Sequence, residues 1–156
     1  MQIAFTIIAE GIRLVTKIIE DQERKDGNPD RLSKEALYVF KSFKAAYDDC
    51  NIRKLSQVIS ASYSGNFYGA SDKSALLEFF KDAFSQVPFG LSPKLQITVH
   101  NILEDSPAGF RCLVDFNSSL TVLGLPVAQF DSGLLVCEAR PEGNHKIWKL
   151  TKLDFA

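Results

Sequence analysis

Apolar residues recur along the chain first at helical spacing and then, beyond Pro88, Gly90 and Pro93, at every second position. The most legible stretch is residues 65–84, GNFYGASDKSALLEFFKDAF, which predicts a short extended segment, a glycine turn and a capped helix. Ser71 or Asp72 supplies the cap, since either side chain accepts from an amide of the first turn, and an acidic residue also suits the positive helix end. Leu76, Phe80, Ala83, Phe84 and Val87 then fall at i, i+4, i+7, i+8 and i+11, one broad apolar face. Upstream, Ser33 caps a helix carrying Ala36, Phe40, Phe43, Tyr47 and Cys50 on one side, and Ile52, Leu55, Val58 and Ile59 predict a shorter one.

Downstream the period is that of strands. Leu95, Ile97 and Val99 alternate with Gln96, Thr98 and His100, and Phe110, Cys112, Val114 and Phe116 alternate with Arg111, Asp115 and Asn117. A third strand is expected over residues 127–138 and a fourth over 146–155. The turns between them, DSPAG, LGLP and RPEGN, are punctuated as antiparallel hairpins are.

Residues 1–19 form an amphipathic pattern, with Ile8, Ile12, Val15 and Ile19 on one side and Ile3, Leu14 and Ile18 widening the stripe. Glu10, Arg13 and Lys17 interrupt the apolar run, so a membrane span or an export signal is not expected. That helix has to bury its stripe on its own domain or on a second subunit. The charged, turn-rich residues 21–30 separate it from the rest, dividing the chain into an N-terminal helix with linker (residues 1–30) and one domain (residues 31–156).

With 156 residues, 46% hydrophobic and 24% charged, the chain has the size and make-up of one soluble domain. A net charge of -1 leaves no basic footprint for nucleic acid or an anionic membrane surface. The three cysteines, Cys50, Cys112 and Cys137, have no metal-ligand spacing and are odd in number. Neither a metal nor another cofactor is expected, and reduced thiols fit a cytoplasmic location.

The segments FKAAYDDCNIRKLSQVI, GNFYGASDKSALLEFFKDAF and HKIWKLTKLDF, in that order, resemble the nuclear transport factor 2-like superfamily, which includes ketosteroid isomerase, scytalone dehydratase and polyketide cyclases. The resemblance covers residues 32–155. It implies an α+β fold in which a curved antiparallel sheet wraps around about three helices, the cystatin-like cone, here with an extra N-terminal amphipathic helix. It also implies a homodimer formed through the sheet. In isomerase-like members a tyrosine of the first helix and an aspartate after the second do the chemistry; the matching positions here are Phe43 and about Phe67, so steroid-type isomerisation is not expected. No paired histidine and aspartate of the dehydratase kind fall inside the expected cavity.

Hairpin geometry gives an expected register. If LGLP centres on Leu123, Asp115 faces Asp131, Asn117 faces Gln129, Val114 faces Ser132 and Phe116 faces Phe130; if DSPAG centres between Ser106 and Pro107, Thr98 faces Asp115. One face then carries Leu95, Ile97, Val99, Cys112, Val114, Phe116, Phe130, Leu134 and Val136. The other carries Thr98, His100, Arg111, Asp115, Asn117, Gln129 and Asp131. Opposed Asp115 and Asp131 near His100 would raise one carboxyl pKa and form a catalytic pair. The plainer expectation is that this polar face is the wetted outside of the cone.

Inside, the candidate ligand-binding residues are Tyr47, Tyr63, Phe67, Tyr68, Phe80, Phe116, Phe130 and Trp148, which pack a core or line an apolar cavity. The leading expectation is a non-catalytic domain that binds a small apolar ligand or serves as a dimerising scaffold. Its competitors are a lyase, isomerase or hydrolase using Asp115, Asp131, His100 and a tyrosine, and a protein-interaction domain that docks through its N-terminal helix.

Overall fold

Ser33 opens the first helix in the computed structural model, which describes residues 33–156. Its Oγ accepts from the Ala36 amide at 3.2 Å, and helix α1 (Lys34–Asp48) follows, burying Ala36, Leu37, Val39, Phe40, Ala46 and Tyr47. The helix stops two residues short of Cys50, the last position of its apolar spacing. Cys50 takes a left-handed φ of 50° and leaves the helical face, and Asn51 then caps α2 (Ile52–Val58), its side chain accepting from Lys54 N at 3.0 Å. A single 3-10 turn spans Phe67–Gly69, and Asp72, accepting from Ala75 N at 2.8 Å, caps α3 (Lys73–Ser85). Leu76 and Phe80 are the fully buried residues of that helix.

Four antiparallel strands follow in spatial order of sequence: β1 (Ser92–Ser106), β2 (Gly109–Val122), β3 (Leu125–Glu142) and β4 (Ile147–Phe155). β3 is longer than expected at both ends. The helices cover the face bearing Leu95, Phe110, Cys112, Val114, Phe116, Leu135, Cys137, Leu150 and Leu153, all buried. A polar clamp fixes α1 on β1: Lys44 Nζ reaches Asp48 Oδ2 and the Leu95 carbonyl, each at 2.7 Å, while Asp48 Oδ1 accepts from the Leu95 amide at 2.7 Å. Ile59, just after α2, bridges to Leu150 of β4.

The β1–β2 register keeps Thr98 opposite Asp115, although the turn falls on Pro107 and Ala108. Irregularities between Val99 and Asn101 and between Ile102 and Glu104 absorb the difference. The β2–β3 register departs from expectation. Its turn is Leu123–Gly124, both with positive φ (51° and 81°), as a two-residue hairpin of the mirror-image type demands. Further shifts lie between Leu120 and Thr121 and between Ser118 and Ser119, so Asp115 pairs with Leu134, Asn117 with Ser132, Val114 with Leu135 and Phe116 with Gly133. An odd displacement moves side chains to the opposite face. Leu134 and Val136, expected inside, therefore stand outside opposite Asp115 and Leu113, and Leu135 and Cys137 take the interior.

The amphipathic helix expected at the N-terminus lies outside the described residues. Among the described residues no helix is long and apolar enough to cross a membrane.

Candidate functional site

Between α1, α3 and the inner face of the sheet lies a cavity of about 390 Å³. α1 contributes Val39, Phe40, Phe43 and Tyr47, and α3 contributes Phe79, Phe80 and Ala83. The floor comes from the strands, with Leu95 and Ile97 of β1, Val114 and Phe116 of β2, and Leu135 and Cys137 of β3. Asp82 on the last turn of α3 and Gln86 just past its end, both exposed, mark its mouth.

The shift between Ser118 and Ser119 decides what the sheet contributes there. Ser118 pairs with Asp131 and Ser119 with Gln129, leaving Phe130 as the extra residue of a bulge. A bulge re-aims side chains that regular alternation would send to opposite faces, and here Phe130 and Asp131 both line the cavity. Ser118 itself points at the helices, its Oγ accepting from the Tyr47 hydroxyl at 2.7 Å in a buried contact. Burial pushes the Tyr47 phenol up to about 12; the bond to Ser118 opposes the rise and the negative charge of Asp131 adds to it. Tyr47 is thus a neutral donor already committed to Ser118.

Asp131 accepts from the Tyr68 hydroxyl, which lies 2.7 Å from one carboxylate oxygen and 2.9 Å from the other, and from the amide of Ser132 at 2.9 Å. Tyr68 reaches it because its backbone is left-handed (φ 48°) and its ring lies on Phe79, centroids 4.8 Å apart and planes 16° from parallel. Partial burial, the hydrogen bond to Asp131 and that residue's charge together raise the Tyr68 phenol to about 12. Tyr68 is a half-exposed brace on the carboxylate.

Of the residues expected at a ligand site, Tyr47, Phe67, Phe80, Phe116 and Phe130 line the cavity. Tyr63, Tyr68 and Trp148 are placed elsewhere. Tyr63 is buried with its hydroxyl donating to the Leu153 carbonyl at 3.3 Å, which ties the segment before the 3-10 turn to β4. Trp148 stacks on Phe110 at 6.0 Å and borders a surface depression with Lys34, Glu35 and Tyr38. The expected group of Asp115, Asp131 and His100 is divided by the sheet. His100 Nε2 and Asp115 Oδ2 are 2.5 Å apart on the outer face, both roughly half exposed, whereas Asp131 faces the cavity.

Phe79, Asp82 and Gln86 were missed in the sequence, although Phe79, Asp82, Ala83 and Gln86 fall at i, i+3, i+4 and i+7 and form a second stripe beside the apolar face of α3. Among the described residues no group of three or more His, Cys, Asp and Glu could hold a metal ion.

No protein-family model matches the chain, and no curated protein matches it significantly. Solved structures do. Aln2 from a Streptomyces species superposes with a TM-score of 0.65 at 8% identity, over 80% of this chain and 92% of that one. A protein of unknown function with a cystatin-like fold from Nostoc punctiforme gives 0.58 at 15% identity, over 80% and 94%. This chain has the cystatin-like fold. A putative calcium/calmodulin-dependent protein kinase type II association domain from Thiobacillus denitrificans shares it, with a TM-score of 0.58 at 14% identity over 83% of this chain and 99% of that one. The cystatin-like cone is the fold that the resemblance to the nuclear transport factor 2-like superfamily implies, and at these identities the likeness is one of fold.

Proposed function

We propose that this domain binds one small, largely apolar molecule in the cavity between α1, α3 and the sheet. The observation that carries this reading is the cavity itself: about 390 Å³, walled by aromatic and aliphatic side chains, with polar groups gathered at Asp131, Asp82 and Gln86. Ligand sites are commonly of this size and make-up, apolar walls supplying affinity and a few fixed polar groups setting orientation. Tyr47 and Ser118 satisfy one another, so the inner wall offers an apolar ligand no unpaired hydroxyl from that pair.

Methyl-resolved NMR of the full chain, titrated with 2-naphthylmethanol, tests this. Shifts are expected on Leu95, Val114 and Leu135, which line the cavity, with exposed Leu123 and Leu125 unmoved. Absence of shifts at millimolar probe, or shifts confined to Leu123 and Leu125, would contradict a binding cavity.

A further inference from the structure

We propose that the occupant is an organic cation, an amine with a flat apolar body, whose ammonium group pairs with Asp131 at the mouth of the cavity; this rests on the ligand-binding reading above. Charge is the first argument. The cavity is bordered by two carboxylates, Asp82 and Asp131, and among the described residues that line it there is no Lys, Arg or His. An anionic ligand would meet like charge, and a neutral one would leave the carboxylate with no added partner, whereas a cation compensates it.

The hydrogen bonding of Asp131 agrees. Its donors, the Tyr68 hydroxyl and the Ser132 amide, are both neutral. A carboxylate offers about four acceptor positions, so an ammonium can be accommodated without displacing either donor. The brace by Tyr68 also fixes the carboxylate in place before a ligand arrives, which lowers the ordering cost of binding. Tyr68 is itself held by its stack on Phe79.

The aromatic walls are the third argument. Phe43, Tyr47, Phe80, Phe116 and Phe130 all border the cavity, and aromatic faces carry negative potential that attracts cations as well as apolar surface that holds a flat body. Asp131 stands in that setting because the bulge at Phe130 turns it inward.

The test uses three probes with one naphthalene body: 2-naphthylmethylammonium, 2-naphthylmethanol and 2-naphthoate, titrated calorimetrically into the full chain. The ammonium should bind at least about 10-fold more tightly than the alcohol, and the carboxylate more weakly than both. Asp131→Asn should reduce the ammonium-to-alcohol ratio to about 2-fold or less. Asp115→Asn makes the same change of net charge on the outer face and should leave the ratio intact. Equal or tighter binding of the alcohol, or loss of the preference in Asp115→Asn as well, overturns the cation inference while leaving the cavity as a binding site. Failure of all three probes to bind overturns both.

Discussion

Replacing Phe67 by alanine is expected to remove about 3–5 kcal/mol of folding stability, the range for truncating a buried aromatic, out of a total of about 5–15 kcal/mol for a domain. Phe67 is 3% exposed and meets five other rings: Tyr68, Phe79, Phe80, Phe116 and Phe155, with centroids 4.8 to 5.8 Å apart. Those rings belong to the 3-10 turn, α3, β2 and β4, so one side chain links four elements of the fold. It also borders the cavity, and its loss would enlarge an existing void that neighbours cannot readily fill. Urea unfolding checks this, with Phe89→Ala as the control: Phe89 is fully exposed and should change stability by no more than about 0.5 kcal/mol. A loss below about 1 kcal/mol for Phe67→Ala would mean that the ring cluster relaxes into the gap and is not the hub described.

The second large effect is steric and is expected at Gly65. A Cβ there would lie 2.5 Å from the Leu153 carbonyl oxygen and 2.6 Å from the Tyr63 hydroxyl oxygen. Gly65 is not among the positive-φ residues, so the glycine is needed for close approach of the segment before the 3-10 turn to β4. Two tendencies compete in Gly65→Ala. A less flexible unfolded chain favours the variant by about 0.4–1 kcal/mol, while overpacking costs about 1–3 kcal/mol, and with a backbone oxygen at 2.5 Å the steric term wins. Adding Tyr63→Phe removes the contact with the hydroxyl but not the one with the carbonyl, so it should restore only part of the loss. A neutral or stabilised Gly65→Ala in thermal unfolding would contradict the packing of this segment on β4.

How much of this was legible in the sequence depends on the range of the interaction concerned. Helix caps are local: Ser33 was readable as a cap, and the other was narrowed to Ser71 or Asp72, because a capping side chain bonds an amide two or three residues on, as Ser33 and Asp72 do. The helices were readable from periodic burial, and the strands from alternation. Pairing across the β2–β3 hairpin was not, because its bulges are set by how a curved sheet closes over α1 and α3, which no short window of sequence encodes. One extra residue at Phe130 was enough to send Asp131 to the opposite face from the one assigned by alternation. Aromatic identity likewise marked Phe67, Phe80 and Phe116 as interior without separating them from Tyr63, which is buried yet seals a loop on β4. Tyr68 escaped the pattern because a left-handed non-glycine residue places its ring where neither helical nor strand spacing would put it.

The most direct test of the site as a whole is a crystal structure of the full chain soaked with 2-naphthylmethylammonium. Density for the naphthalene body is expected between Phe43, Phe80 and Phe116, with the ammonium within hydrogen-bond distance of the Asp131 carboxylate. A cavity closed by its own side chains, with Asp131 turned out into solvent and the probe absent or bound on the outer face of the sheet, would contradict the central claim that the bulge at Phe130 builds a ligand site.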